Sequence, residues 1–383
     1  MEKRMKKIIS YIIAVGFFAY LCVFAVLTVA VSKSDFSDIE NRLLAVMPKI
    51  NFDNIIDKDV MNGIDTYVSD HFFLRTDWVK LKTDSDILLG AREENGVYIA
   101  ENNARFAEKI TGYDSETLEK SIAGINHFAE THDIETYFLL APTAAAVYAD
   151  ELPKNAPNAD QKAFTQDVFS KLDTKITPID VYPVLESERA DYIYYRTDHH
   201  WTTRGAYSAY LSLGSVMGFE PFTEFDRETA ATDFSGSLYS KALYDGVASD
   251  TIEFIFPSEG TKITSVEVLK EYGSPPEVYG SVYFREFLDK KDKYSSFLGS
   301  NQPLVTINSK AGGGSLLIIK DSYANSVAPL LAENYGKITL LDMRYIQTGI
   351  DDIIDVSQYD KVLFIYNVSS FMSDTHLRKL MYE

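Results

Sequence analysis

One short stretch of the sequence, Tyr194–Tyr207 (YYRTDHHWTTRGAY), combines side chains that can move protons. It places an Asp, two His and a Trp between Arg196 and Arg204, although the whole chain has only six His. Asp198 and His200 are two positions apart, so in an extended segment they project to the same side. The carboxylate would then accept the imidazole N–H and fix its tautomer, which leaves the other ring nitrogen free to take a proton. The stretch therefore predicts an acid–base pair.

A second stretch, Lys320–Ser326 (KDSYANS), offers a nucleophile. It follows the continuous apolar run Ser315–Lys320 (SLLIIK), which predicts a strand covered on both faces, and it precedes a predicted helix. Ligands of open α/β sheets bind beyond the carboxyl ends of strands, where Ser322 would expose its hydroxyl beside backbone N–H groups of a helix N-terminus. Such groups can hold an oxyanion. A serine between a strand and a helix is, however, most often a helix cap.

The first stretch also has plainer interpretations. Asp198, His199 and His200 are residue types that bind metals, but the sequence offers no obvious further ligand group, and consecutive His in a strand point in opposite directions. Buried His also occur as hydrogen-bonded core residues. Trp201 is either a platform for a sugar ring or part of the core. We expect neither a metal nor a cofactor.

The segments around both stretches alternate between strand and helix patterns. Strands are predicted at Val97–Ala100, Thr136–Ala141, Ile176–Asp180, Ser315–Lys320, Lys337–Asp342 and Lys361–Asn367. Helices are predicted at Val60–Leu89, Ser115–Thr131, Asp160–Leu172, from near Gly205 after a Thr202 or Thr203 cap, up to Tyr335, and near Tyr345–Val356. The alternation predicts an α/β fold, a mostly parallel sheet flanked by helices. Residues 219–312 instead mix Gly, Ser, Tyr, Phe and Thr in short alternating stretches, which predicts a β-rich insertion.

The N-terminal part predicts a membrane anchor. Residues 1–7 carry Lys3, Arg4, Lys6 and Lys7, and the next 25 residues, 8–32, have no charge. As a helix this run spans ~37 Å, enough for a hydrocarbon core of ~30 Å. The positive-inside rule predicts that residues 1–7 lie in the cytoplasm and that the chain from residue 33 onward lies outside. Residues 33–58 are predicted to form a stalk or linker, and residues 59–383 an exported domain. The alternative is a signal peptide cleaved near residues 30–32, although the apolar run is long for one.

The composition excludes several classes of protein. Of 383 residues, 46% are apolar and 24% are charged, which is typical of a globular chain rather than a disordered one. Asp and Glu number 56 against 37 Lys and Arg, a net charge of −19 that disfavours nucleic acid as a partner. The only cysteine, Cys22, lies in the apolar run, so the exported part has neither disulfides nor Cys metal ligands.

The order of motifs resembles that of a known family. TDHHW follows Glu94–Ala100 (ENGVYIA) and Leu140–Pro153 (LAPTAAAVYADELP), and precedes Phe234–Ala242 (FSGSLYSKA) and KDSY. In this order they resemble the bacterial DHHW protein family, which is itself similar to the SGNH-hydrolase-like alginate O-acetyltransferases of the AlgJ and AlgX type. The resemblance covers nearly all of the exported part, and it implies an SGNH-hydrolase-like fold.

The resemblance also implies roles for individual residues. Asp198 and His200 match the acid and base, Trp201 the Trp that follows them, and Ser322 the nucleophile, while His199 falls at a variable middle position. One departure is that Lys320 and Asp321 precede the serine where those enzymes have Gly-Asp. The backbone N–H groups of Ser322 and Tyr323, with the Asn367 amide, are the expected oxyanion donors. Around the triad or in a substrate groove we expect His199, Trp201, Arg196 and Asp321.

The activity that the resemblance implies is acyl transfer. Ser322 would carry an acetyl group to a hydroxyl of a cell-envelope or secreted polysaccharide. Acetyl-CoA is absent outside the membrane, so a membrane-bound O-acyltransferase is the implied donor partner. We expect a single-pass protein of the bacterial cell membrane with its C-terminal domain outside. A carbohydrate esterase with the same triad and a non-catalytic glycan-binding envelope protein remain alternatives.

Overall fold

A computed structural model describes residues 2–31, 33–50, 58–271 and 273–382. It divides into two compact units, Met1–Ala91 and Arg92–Glu383.

The first unit begins with a long helix, α1 (Glu2–Ala30), of which Lys3–Ala30 is long and apolar enough to cross a membrane. It is the one such helix among the described residues. A hairpin of β1 (Phe36–Ser37) and β2 (Arg42–Leu43) follows, then α2 (Lys58–Asp70) and α3 (Arg75–Leu88). Residues 51–57 of the predicted linker lie outside the described residues.

The prediction of one continuous helix over Val60–Leu89 is wrong. Leu74 between α2 and α3 has a left-handed backbone, φ 57°, which a helix cannot contain. The last residue of α2, Asp70, accepts two bonds from the Arg42 guanidinium and one from the Ala45 N–H. The bond from Arg42 lowers the pKa of Asp70 to about 2. These bonds hold the end of α2 on the hairpin, where the chain turns.

The second unit contains the remaining strands and helices. Its strands are β3 (Glu93–Glu94), β4 (Val97–Ile99), β5 (Phe106–Glu108), β6 (Glu135–Ala141), β7 (Ile176–Ile179), β8 (Phe225–Phe234), β9 (Asp250–Pro257), β10 (Ile263–Leu269), β11 (Glu277–Tyr279), β12 (Leu304–Ser309), β13 (Ser315–Lys320), β14 (Lys337–Leu341) and β15 (Lys361–Asn367). Its helices are α4 (Ser115–Thr131), α5 (Ala144–Val147), α6 (Gln161–Lys171), α7 (Tyr182–Ser187), α8 (Thr203–Met217), α9 (Ser237–Ala242), α10 (Ala324–Leu331) and α11 (Val368–Met372).

The predicted α/β fold, a mostly parallel sheet flanked by helices, is confirmed. The main sheet has the order β11-β10-β12-β14-β13-β15-β6-β7, and the five strands from β14 to β7 are parallel. Strand β13 is buried on both faces, because Ile318 packs into one apolar core and the adjacent Leu317 and Ile319 pack into the other. Its apolar side chains therefore pack into both cores, as the SLLIIK run predicts.

Two predicted elements differ from the observed structure. Val97–Ala100 forms a strand, β4, but it lies in a small antiparallel sheet with β3 and β5. The helix predicted near Tyr345–Val356 is absent from this described segment, which has short 3₁₀ turns at its two ends. The Lys379 ammonium donates to the carbonyl of Met343, just before this segment, and to that of Ile346 inside it, which a continuous helix would use for its own bonds.

Residues 219–312 contain β8 to β12, in agreement with their alternating pattern. Strands β10, β11 and β12 extend the main sheet as antiparallel strands, and β8 pairs only with β9 among the described strands. The segment is therefore partly an edge of the main sheet and partly a separate hairpin.

Candidate active site

A buried carboxylate, Asp250 at the start of β9, holds the loop that precedes α8. It accepts hydrogen bonds from the backbone N–H groups of Arg196 and Thr197 at 2.7 Å, from the Thr197 hydroxyl at 2.5 Å, and from the Tyr192 hydroxyl at 2.6 Å. Asp250 is 0% exposed, and burial raises its pKa. Four donors around one carboxylate fix the backbone of this loop just before Asp198.

The loop and the β13–α10 turn bring three predicted residues together. The His200 imidazole lies between the other two, with Nδ1 2.6 Å from Asp198 Oδ1 and Nε2 2.7 Å from Ser322 Oγ, across 122 positions of sequence. A carboxylate only accepts, so Nδ1 carries the proton and the Ser322 hydroxyl donates to Nε2. The exposed fraction is 3% for Asp198, 5% for His200 and 8% for Ser322. The arrangement suits removal of a proton from Ser322.

The second oxygen of Asp198 is held by the turn that begins α9. Asp198 Oδ2 accepts the backbone N–H of Ser237 at 2.7 Å. Gly236 packs so closely that a β-carbon there would lie 2.3 Å from Asp198 Cβ and 2.4 Å from Oδ2. A glycine is therefore required at this position for the carboxylate to keep its place.

Burial and neighbouring charges set the protonation of the pair. Burial lowers the pKa of His200 to about 4, assisted by the His199 imidazole and opposed by Asp198. Burial alone would raise the pKa of Asp198, but the two imidazoles and the Ser237 N–H outweigh it, so this pKa is lowered. At neutral pH the structure therefore holds a neutral base beside an ionised carboxylate.

Tyr294, from the predicted insertion, lies flat against the His200 ring. The ring centroids are 3.7 Å apart and the planes differ by 7°. The Tyr294 hydroxyl donates to the Ser322 carbonyl at 2.9 Å and lies 3.2 Å from Ser326 Oγ. One buried side chain thus contacts the base through its ring and the nucleophile turn through its hydroxyl.

The oxyanion donors predicted at Tyr323 and Asn367 are otherwise engaged. Asp321 accepts the Tyr323 N–H at 2.8 Å through one oxygen, and the backbone N–H and side-chain amide of Asn367 at 2.7 Å through the other. The Asn367 amide also donates to Ser370 Oγ. The backbone N–H of Ser322 donates to no group within the described part of the chain, so of the three predicted donors it is the one left available.

A buried cation supports the same turn. The Lys320 ammonium donates to Asn325 Oδ1 at 2.9 Å and Asn301 Oδ1 at 3.1 Å, and it lies 3.6 Å from Asp342 Oδ2. Lys320 is 2% exposed, and burial lowers its pKa. These contacts link the residues on both sides of Ser322 to Asp342, which directly follows β14.

The other predicted neighbours occupy different places. Trp201 is fully buried and its N–H donates to the Tyr323 carbonyl and to Ser326 Oγ, so it is a core residue and cannot be a sugar platform. His199 is partly exposed, and its Nδ1 lies 2.6 Å from Ser237 Oγ. The Arg196 guanidinium lies over the Tyr192 ring, 4.5 Å from its centroid.

The ring positions of His199 and His200 differ from the expectation for a strand. Their centroids are 3.8 Å apart, because the segment is an irregular loop. With Asp198 they offer possible metal-ligand atoms within 4.8 Å of one another. Both nitrogens of His200 and both oxygens of Asp198 already form the bonds described above, however, and a metal ion there would have to replace some of them.

Comparisons with known proteins identify the family and the fold. The sequence profile described as DHHW protein matches residues 97–341, which is more than half of the chain. The chain belongs to the DHHW family. The match begins in β4 and ends in β14, so it includes Asp198, His200 and Ser322. It leaves β15 and Asn367 outside.

Solved structures establish the fold of this DHHW chain. A DHHW family protein from Eubacterium siraeum matches with a TM-score of 0.64 at 24% identity, over 75% of this chain and 95% of that one. Bacillus cereus PatB1, solved with a sulfonyl adduct, matches with a TM-score of 0.62 at 21% identity, over 74% and 98%. The O-acetyltransferase domain of Pseudomonas putida AlgJ has a TM-score of 0.45 at 13% identity, over 73% and 94%. A sequence search of curated proteins finds no match.

Four residues of the site were not predicted from the sequence. Asp250, Gly236, Ser237 and Tyr294 all lie in the segment 219–312. They are between 28 and 94 positions from the residues that they contact in the site, so spacing rules do not reach them. The one available signal is FSGSLYSKA, which contains Gly236 and Ser237 and belongs to the motif order of the family.

Proposed function

We propose that this DHHW protein is a membrane-anchored extracytoplasmic O-acetyltransferase that acts on a cell-envelope or secreted polysaccharide. The observation that supports it is the unbroken series of hydrogen bonds from Asp198 through His200 to Ser322. A serine hydroxyl donating to a neutral imidazole, which a carboxylate orients, is the arrangement that activates serine for attack on an acyl carbon.

In the first step, Ser322 Oγ attacks the carbonyl carbon of the acyl donor while His200 Nε2 takes its proton. Asp198 holds the resulting imidazolium. In this proposal the Ser322 N–H donates to the oxyanion. The tetrahedral intermediate then expels the leaving group, which takes the proton from His200. The product is an acetyl ester on Ser322.

In the second step, a sugar hydroxyl replaces the leaving group. His200 removes its proton, the hydroxyl oxygen attacks the acetyl carbon, and Ser322 leaves with the proton returned from His200. Each proton that His200 takes is given back, so the enzyme returns to its starting state. With water as the acceptor, the same steps would make the protein a carbohydrate esterase.

Two further observations support the proposal. PatB1 has been solved with a sulfonyl adduct, and sulfonyl reagents react with activated nucleophiles. The apolar helix α1 with its basic N-terminal flank fits a cytoplasmic N-terminus and an exported domain. An exported enzyme needs a donor that crosses the bilayer, and we assign that task to a membrane-bound O-acyltransferase.

Acetate release and acetyl transfer distinguish the two activities. The full chain in detergent is incubated with an acetylated chromogenic ester, with and without polysaccharide. We expect acetyl groups on the glycan and only slow release of acetate to water. The reaction rate should fall by a factor on the order of 10⁶ in Ser322→Ala or His200→Ala, and on the order of 10⁴ in Asp198→Asn. Rapid acetate release without transfer would favour the esterase, and unchanged rates in Ser322→Ala would exclude both.

A further inference from the structure

A cavity of about 410 Å³ lies at the far end of α10 from Ser322. Its lining combines side chains of the segment 219–312, including Phe222, Phe256 and Tyr283, with residues at the end of α10. Helix α10 has eight residues and so separates the cavity from the serine by about 12 Å along its axis. The volume falls in the range of small-molecule sites and is enough for a sugar ring.

One carboxylate, Glu333, belongs to a lining that also contains aromatic side chains. Glu333 is the only acidic or basic residue among the described residues that line the cavity. Its Oε2 accepts the backbone N–H of Thr261, and it forms no ion pair within the described ranges. Burial raises its pKa. The neighbouring acid Glu259, by contrast, is exposed and does not line the cavity.

A carboxylate in such surroundings favours a cationic ligand. Partly buried charge is costly unless a partner of opposite sign neutralises it, and an ammonium supplies both the charge and N–H donors. The aromatic side chains strengthen the preference, since ring faces attract cations and also pack against the apolar faces of sugars. Phe256 is 39% exposed, and its ring lies 5.4 Å from that of Tyr283, so an aromatic surface is accessible beside the carboxylate.

We propose that this cavity binds a sugar unit that carries a free amine, with the ammonium on Glu333 and the ring against Phe256. It would be an accessory binding site separate from the reacting serine. The proposal does not depend on acyl transfer, because no residue of the Ser322 site lines the cavity.

The test is binding of monosaccharides to the full chain in detergent, measured by calorimetry. Glucosamine is the probe, and N-acetylglucosamine and glucose are its neutral counterparts. We expect glucosamine to bind at least about tenfold more tightly than either, and Glu333→Gln to remove that advantage. Glu259→Gln, which removes the same charge from an exposed position, should bind glucosamine like the wild type.

A second variant separates the cavity from general electrostatics. A β-carbon at Gly260 would lie 3.6 Å and 3.7 Å from the two Glu333 carboxylate oxygens, so Gly260→Val should block the ammonium without changing the net charge. It should weaken glucosamine binding as much as Glu333→Gln, which itself keeps an acceptor for the Thr261 N–H. Acetate release from a soluble ester should be unchanged in both. The proposal would be overturned if glucosamine and N-acetylglucosamine bound equally tightly. It would also be overturned if Glu333→Gln and Gly260→Val each bound glucosamine as tightly as the wild type.

Discussion

The two nitrogens of the His200 imidazole have different tasks, and their hydrogen bonds determine which is which. Asp198 accepts from Nδ1, and Ser322 donates to Nε2. The neutral ring is therefore already the tautomer that accepts the serine proton. A protonated ring has no lone pair for this purpose, so the proposed reaction depends on the pKa of His200.

Because the pKa of His200 is lowered to about 4 from its usual 6.5, the base stays neutral in mildly acidic solution. We predict that acetyl-ester cleavage by the full chain keeps its rate from pH 7 to about pH 5, and falls about tenfold per pH unit once the pH is below 4. Circular dichroism at each pH controls for unfolding. A rate already halved near pH 6.5, with the fold intact, would show that the site does not lower this pKa.

For single residues, the sequence predicted the catalytic side chains better than the hydrogen bonds around them. An Asp, a His and a Ser with proton-transfer chemistry could be selected from their types and the motif order. The oxyanion donors could not, because the deciding feature is the direction of the Asp321 carboxylate, which takes the N–H groups of Tyr323 and Asn367. Nothing in the letters KDSY indicates that direction.

The start of α9 is the element that holds Asp198, and its close contact at Gly236 allows a sharp test. A β-carbon there would overlap the Asp198 side chain. We predict that Gly236→Ala lowers the rate of acetyl-ester cleavage on the order of 10²–10⁴, up to the effect of losing Asp198 itself. Gly312→Ala is the matched control, since no heavy atom lies within 4 Å of its added carbon. Similar rates in the two variants would contradict the role of this turn.

The segment before β12 contributes Tyr294, whose ring and hydroxyl can be separated by substitution. Tyr294→Phe keeps the ring against His200 but loses the bond to the Ser322 carbonyl, and we predict a cleavage rate about 3- to 10-fold lower. Tyr294→Leu loses the ring as well and should cost about tenfold more. Labelling of Ser322 by a sulfonyl fluoride should slow in the same order. Equal rates for Phe and Leu would show that the stacked ring does not position the base.

Elements were predictable where a local pattern decides them. Continuous apolar runs gave β13 and β15 their bounds, and Thr202 caps α8 as expected. The helix predicted near Tyr345–Val356 is absent from this described segment, where the distant Lys379 donates to the carbonyl of Ile346. The contribution of residues 219–312 to the site could not be predicted either. Asp250 bonds to the loop before Asp198, and Tyr294 bonds to the Ser322 carbonyl, although both are distant from those residues in sequence.

For the whole molecule, the orientation in the membrane can be tested with single cysteines. Cys22 is the only native cysteine, so a Cys22→Ser background is free of thiols. We predict that Lys154→Cys in this background reacts with a membrane-impermeant maleimide on intact cells, as the proposed export of residues 59–383 requires. Lys6→Cys should react only after permeabilisation. The reverse pattern would contradict an exported domain.

In the proposed reaction, His200 makes Ser322 the carrier of the acyl group. The most direct measurement is the intact mass of the full chain after exposure to an activated acetyl ester, followed by peptide mapping. We predict one acetyl group on Ser322 in the wild type and none there in His200→Ala. An adduct of equal yield in Ser322→Ala, or one mapped to another residue, would contradict the account.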